Sequence, residues 1–106
     1  MHSTIRGSGR TYRQIASAKE HAVFIWCSDM LELPRRIANS LNRKDILILG
    51  SSSLHSPDKF RNMEYSEVIL DHDLWLRLSN QQYKNYVMLN YAAREKPKAS
   101  SYALPK

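Results

Sequence analysis

Glu67-Val68-Ile69-Leu70-Asp71-His72-Asp73 places three apolar, β-favouring residues between a polar start and an acidic end. Such a run has no polar face, so it reads as a strand covered on both sides, the mark of a parallel sheet under helices. Ala22-Val23-Phe24-Ile25-Trp26-Cys27 and Asp45-Ile46-Leu47-Ile48-Leu49-Gly50 repeat the pattern upstream. Helical stretches alternate with them. Ser28 or Asp29 caps a helix ending near Leu41, and Pro34 pushes its start toward Leu33. Before the first run, Ser3 to Arg6 reads as a very short strand and Arg6-Gly7-Ser8-Gly9 as a glycine-rich turn. Thr11 to about Glu20 then forms a helix with Tyr12, Ile15 and Ala16 on one face. Ser51 to Lys59 reads as a polar loop with a turn at Ser56-Pro57-Asp58. Ser79-Asn80-Gln81-Gln82 has the form of a capping box. It opens a helix to about Glu95 that carries Tyr83, Tyr86, Val87 and Tyr91 along one side until Pro97 stops it. The expected fold class is α/β, a small, mostly parallel sheet flanked by helices. One domain is expected over residues 1–95 and a flexible basic tail over residues 96–106.

The 106 residues suit one domain with one modest core. Apolar residues make up 42% and charged residues 25%, which is ordinary for a soluble globular chain. No apolar run approaches the roughly 18 residues of a membrane span, and Met1 to Arg6 lacks the apolar stretch of a secretory signal. No membrane partner is therefore expected. Cys27 is the single cysteine and has no internal partner, so a reducing, cytoplasmic setting is expected. The net charge is +6 and the pI about 9.7, which favours polyanion partners such as nucleotide phosphate or nucleic acid. The plainer alternative is that the charge serves solubility. Much of it sits at the ends, in Arg6, Arg10 and Arg13, then Arg94, Lys96, Lys98 and Lys106.

In parallel sheets ligands bind beyond the carboxyl ends of the strands. Gly7-Ser8-Gly9, Ser28-Asp29, Gly50-Ser51-Ser52-Ser53 and Asp71-His72-Asp73 all follow expected strands, so these polar groups should converge on one edge. Two of them carry chemistry. In Gly7-Ser8-Gly9-Arg10-Thr11, glycines let backbone N–H groups approach a phosphate, Arg10 supplies a cation, and the Thr11 hydroxyl at a helix start suits magnesium. The alternative is an ordinary glycine turn capped by Thr11. In Val68-Ile69-Leu70-Asp71-His72-Asp73, a carboxylate ends a buried strand, where it can hold the magnesium of a nucleotide. The alternative is a helix cap or turn at Asp71 or Asp73.

These segments resemble the Walker A and Walker B motifs of P-loop NTPases. The chain as a whole resembles a truncated RecA-like core, the first motor domain of helicases, over about residues 4–92. The departures are Thr4 where the first glycine falls, arginine where lysine stands, a nearly absent first strand, and His72 where hydrolysing relatives place glutamate. Cys27-Ser28-Asp29-Met30-Leu31-Glu32-Leu33 is similar to the motif Ia region. Phe60 to His72 is similar to a segment of small phage P-loop proteins, with Asn62 standing for a glycine in a left-handed turn. The resemblance implies a viral accessory protein, in the host cytoplasm, that binds ATP with Mg2+. Gly7, Ser8, Gly9, Arg10 and Thr11 would cradle phosphate. Thr11 and Asp71 would hold the metal, and His72 or Asp73 would orient water for weak, partner-dependent hydrolysis. With no second motor domain, autonomous translocation is not expected. The competing expectation is a non-enzymatic basic protein that docks on nucleic acid or a host protein through its ends and its tyrosine helix.

The remaining residues favour plain roles. Cys27 lacks a CxxC partner and reads as an inert core thiol. His2, His21, His55 and His72 have no metal-ligand spacing with cysteine or each other. Trp26 and Trp75 read as packing residues, with base stacking the alternative for Trp75. Tyr83, Tyr86 and Tyr91, beside Lys84 and Arg94, read either as a stacking face for single strands or as a docked helix face. Asp29 with Glu32, and Glu64 with Glu67, read as solvated.

Overall fold

The three apolar runs form strands β1 (Val23–Ile25), β2 (Leu47–Leu49) and β3 (Val68–Leu70) in the computed structural model. It describes the backbone over residues 2–103 and side chains over residues 9–94. All pairings are parallel, in the order β2-β1-β3, with Phe24 opposite Ile48 on one side and Ile69 on the other. Burial on both faces explains why the runs are continuously apolar. Alternate residues point to opposite faces. Phe24 and Ile48 meet helices α1 (His2–Ala16) and α2 (Glu32–Ser40) through Ile15, Ile37 and Ala38, together with Ala18 just past α1. Val23, Ile25, Val68 and Leu70 meet α3 (Asn80–Ala103) and two short 3-10 helices, Ser51–His55 and Pro57–Phe60, through Leu54, Phe60, Leu89 and Ala93. Full burial of side chains such as Phe24 and Phe60 contributes about 1.5–3 kcal/mol each.

The outer edge of β3 is sealed by side chains rather than by a strand. The Val68 amide donates to Asn90 Oδ1 at 2.8 Å, and Asn90 Nδ2 donates back to the Val68 carbonyl at 3.0 Å. Further along, Gln14 Nε2 donates to the Leu70 carbonyl at 2.9 Å and the His72 amide donates to Gln14 Oε1 at 3.1 Å. One amide comes from α3 on one face and the other from α1 on the opposite face, so the two helices clasp the edge. Unpaired edges invite strand addition, and this arrangement removes most of the free groups.

The structure departs from the sequence reading at several points. The expected strand over Ser3 to Arg6 and the turn over Gly7-Ser8-Gly9 are both replaced by α1, which runs helically from His2 to Ala16. The edge where an extra strand would pair with β3 is already occupied by Gln14 and Asn90. The buried residues of α1 with described side chains are Thr11 and Ile15, with Ala18 buried just past its end, whereas Tyr12 and Ala16 are exposed. The polar loop after β2 is helical, and Ser53 and Leu54 are buried under α3. The capping box forms as expected, with Gln82 N donating to Ser79 Oγ at 3.1 Å and Ser79 N to Gln82 Oε1 at 2.9 Å. The helix it opens runs past Pro97 to Ala103, although proline there forfeits one backbone hydrogen bond. Its docked face is Gln82, Asn85, Leu89 and Ala93, with Tyr86 half-buried; Tyr83, Val87 and Tyr91 point outward. The left-handed backbone positions among the described residues are His21 and Asn42, not Asn62.

Candidate functional site

The carboxyl ends of β1 and β3 lie side by side because the two strands pair in register, Ile25 opposite Leu70. The chain leaves β1 toward α2 on one face and leaves β3 toward α3 on the other. The point of such a divergence is the usual ligand position in a parallel sheet. Asp71 is the first residue beyond β3 and is fully buried. Thr11, buried on the facing side of α1, donates from Oγ1 to Asp71 Oδ1 at 2.9 Å. The other carboxylate oxygen, Oδ2, accepts from the Asp73 amide at 3.1 Å, closing the tight turn after the strand. Both of these hydrogen-bond partners are neutral groups.

Three more side chains surround this carboxylate. His72 Nδ1 lies 3.2 Å from Asp73 Oδ1, and His72 Nε2 lies 3.9 Å from Asp71 Oδ1. Cys27, two residues beyond β1, brings its Sγ into a group with one oxygen each of Asp71 and Asp73, all within 4.8 Å of one another. Burial pushes the Cys27 thiol up from its ordinary value; the Asp71 and Asp73 charges add to the rise and Arg77 opposes it. On the next loop, Asp29 is not merely solvated. It accepts from Ser52 N at 3.2 Å and Ser52 Oγ at 3.0 Å, tying the loop after β1 to the loop after β2. Glu67 likewise has a partner, accepting from Lys19 N at 3.1 Å.

Of the residues singled out for phosphate and metal, Thr11, Asp71, His72 and Asp73 are brought together. Gly7, Ser8, Gly9 and Arg10 form helical backbone in α1, so their N–H groups are committed along the helix axis and do not form an anion nest. The Arg10 side chain is exposed, and the side chains of residues 7 and 8 lie outside the described set. A methyl group at Gly9 would meet nothing within 4 Å, so no close packing demands a glycine there. Cys27 escaped the sequence reading as a site residue. The signal was its place immediately after a buried strand, but only the strand order brings it to Asp71.

Two other surfaces compete for attention. A concavity of about 600 Å³ opens at the amino ends of the strands, among Ala18, His21, Arg43 and Asp45. Two of its charged side chains, Arg43 and Asp45, are paired with each other. Arg43 donates to Asp45 and to the carbonyls of Ile15, Ala16, Ala18 and Lys19 at the end of α1. The second surface is an aromatic cluster near the carboxyl edge, where Trp75 packs edge-on against Tyr86 at 5.2 Å between ring centres and Tyr83 lies 6.3 Å from both. Among the described residues no helix is long and apolar enough to cross a membrane. No family model, curated protein or solved structure matches the chain.

Proposed function

We propose that the carboxyl edge of the sheet binds a nucleoside triphosphate, ATP in the first instance, together with Mg2+, as a reduced P-loop-like protein. The observation that carries the reading is the Thr11–Asp71 pair, a hydroxyl and a buried carboxylate joined at 2.9 Å across 60 residues of sequence. A hydroxyl at this helix and a carboxylate ending a buried strand are the two protein oxygens that magnesium takes in triphosphate sites. The donor set fits a hard cation, since it is a hydroxyl and a carboxylate, both oxygen ligands, just beyond the end of β3. When bound, the ion would offset the negative charge of the phosphates.

The chain's own residues then divide the work. Thr11 and Asp71 hold the cation, and Arg10, exposed one residue away, is placed to meet phosphate charge. The amides of residues 7–9 reach a phosphate only if the first turns of α1 open. The sequence makes that inexpensive. Gly7 and Gly9 each weaken a helix interior by about 1 kcal/mol relative to alanine, and the first turn has no acidic residue to complement the helix dipole. His72, held against Asp73, is positioned to orient a water, and without an arginine from a partner the hydrolysis is slow. Isothermal titration with ATP and Mg2+ tests the reading. Binding that requires the metal and is lost in Thr11→Ala and Asp71→Asn is expected; no heat at millimolar nucleotide overturns it.

A second reading, non-enzymatic docking on nucleic acid or a host protein, draws on the half-exposed rings of Trp75 and Tyr83 with Arg77 and Lys84 beside them in sequence. Bases stack on such rings while cations meet the backbone. Anisotropy with single-stranded DNA across a salt series separates the two readings. Salt-sensitive binding that Trp75→Ala weakens, with no nucleotide binding, favours this one.

A further inference from the structure

We propose that Cys27, Asp71 and Asp73 form a binding site for a thiophilic divalent cation of the zinc and cadmium class. The ligand atoms come from two adjacent strand ends and the turn between β3 and the following 3-10 helix, so sheet pairing itself gathers them. Their Sγ and carboxylate oxygens lie no further apart than 4.8 Å. Around a tetrahedral zinc ion, sulfur and oxygen ligands sit about 3.6 Å apart. The Asp73 side chain is half exposed, which leaves it room to adjust to an ion.

Two separate features point to a cation rather than to an idle cluster. Asp71 is a fully buried carboxylate whose two oxygens accept from neutral donors, the Thr11 hydroxyl and the Asp73 amide, with His72 Nε2 3.9 Å from Oδ1. Next, the third ligand is a thiol, and a thiolate selects zinc or cadmium over magnesium, which demands oxygen. His72 completes the surroundings. Its Nδ1 at 3.2 Å orients the Asp73 carboxylate, the role that neighbours of metal ligands commonly take, and the fourth coordination position is left to water. The site shares Asp71 with the magnesium reading but does not rest on it: Cys27 belongs to this site alone, and Thr11 to the other.

The test is a titration of the full chain with cadmium, followed by the ultraviolet charge-transfer band of a cadmium thiolate. Cys27 is the single cysteine, so any band reports on it. The expected result is a band saturating at one ion per chain, erased by added zinc and lost in Cys27→Ser. In Asp73→Asn, a surface change that leaves the fold intact by circular dichroism, cadmium affinity should fall at least about tenfold. The proposal is overturned if no band forms with cadmium in excess, or if the affinity is unchanged in Asp73→Asn, since the ion would then decorate a lone thiol. Thr11→Ala should keep the band. Loss of ATP binding with the band retained removes only the magnesium reading, and the reverse removes only this one.

Discussion

Asn90 on α3 holds both outward backbone groups of Val68 on β3, accepting at 2.8 Å and donating at 3.0 Å. A side-chain amide thereby does for the edge strand what a fourth strand would do. Asn90→Ala leaves two partly buried groups unpaired and should destabilise the protein by about 1–3 kcal/mol. With Gln14→Ala added, the whole edge opens, and the double variant should associate in a concentration-dependent way. Urea unfolding and light scattering measure the two effects. A double variant that stays monomeric and as stable as the parent would refute the edge-sealing role.

Thr11→Val keeps the shape of a buried residue and deletes the hydroxyl that donates to Asp71. Stability should drop by about 1–3 kcal/mol, because the buried carboxylate loses one of its donors. Thr11→Ser should recover most of the loss. Chemical denaturation of the three proteins checks this directly.

Gly50 lies where the loops after β1 and β2 touch. A methyl group there would overlap the Asp29 side chain and approach its Cα at 2.8 Å. The second obstacle is backbone, so rotation of a side chain cannot relieve it. Gly50→Ala should cost about 1–3 kcal/mol or more through overpacking. Thermal unfolding would reveal it, and an unchanged midpoint would mean the loops yield freely.

Acid should weaken the clamp at the opposite end of the sheet. The Arg43 guanidinium, hydrogen-bonded at 3.1 Å, holds the Asp45 carboxyl well below the usual carboxylate range, and the His21 amide lowers it further. A depressed folded-state value means that the unfolded chain binds the proton first. The contribution is therefore whole above the unfolded value of about 3.9 and drains away as pH falls below it. Asp45→Asn should lower stability at neutral pH and flatten the profile below about pH 4. Unfolding midpoints from neutral to acid pH in both proteins supply the comparison. Parallel profiles would show that Asp45 is not the group responsible.

The strands were legible because burial on both faces leaves an unmistakable mark, a short run with no polar position. The capping box was legible because both of its hydrogen bonds are local, between Ser79 and Gln82. Thr11 and Asp71 do meet, but not as two strand ends: Thr11 lies within α1, and it is the docking of that helix on the sheet that brings it to Asp71. Other features depended on partners far along the chain. Gly7 and Gly9 signal a turn by their own preferences, yet the place for a strand beside β3 is filled by side chains, and the segment is helical. Gln14 and Asn90 look like solvent-facing helix residues until α1 and α3 dock on either side of one strand. Cys27 looks like an inert core thiol until β1 settles next to β3 and carries it to Asp71 and Asp73.

Local chemistry in this sequence thus determined which segments become strands, where the last helix begins, and that polar residues gather at the carboxyl edge. Strand order, the sealing of the edge and the identity of the residues around Asp71 were decided by tertiary packing alone. The physical reason is that apolar periodicity reports how much of a residue is hidden, whereas a hydrogen-bond partner sixty positions away leaves no trace in the pattern around either member.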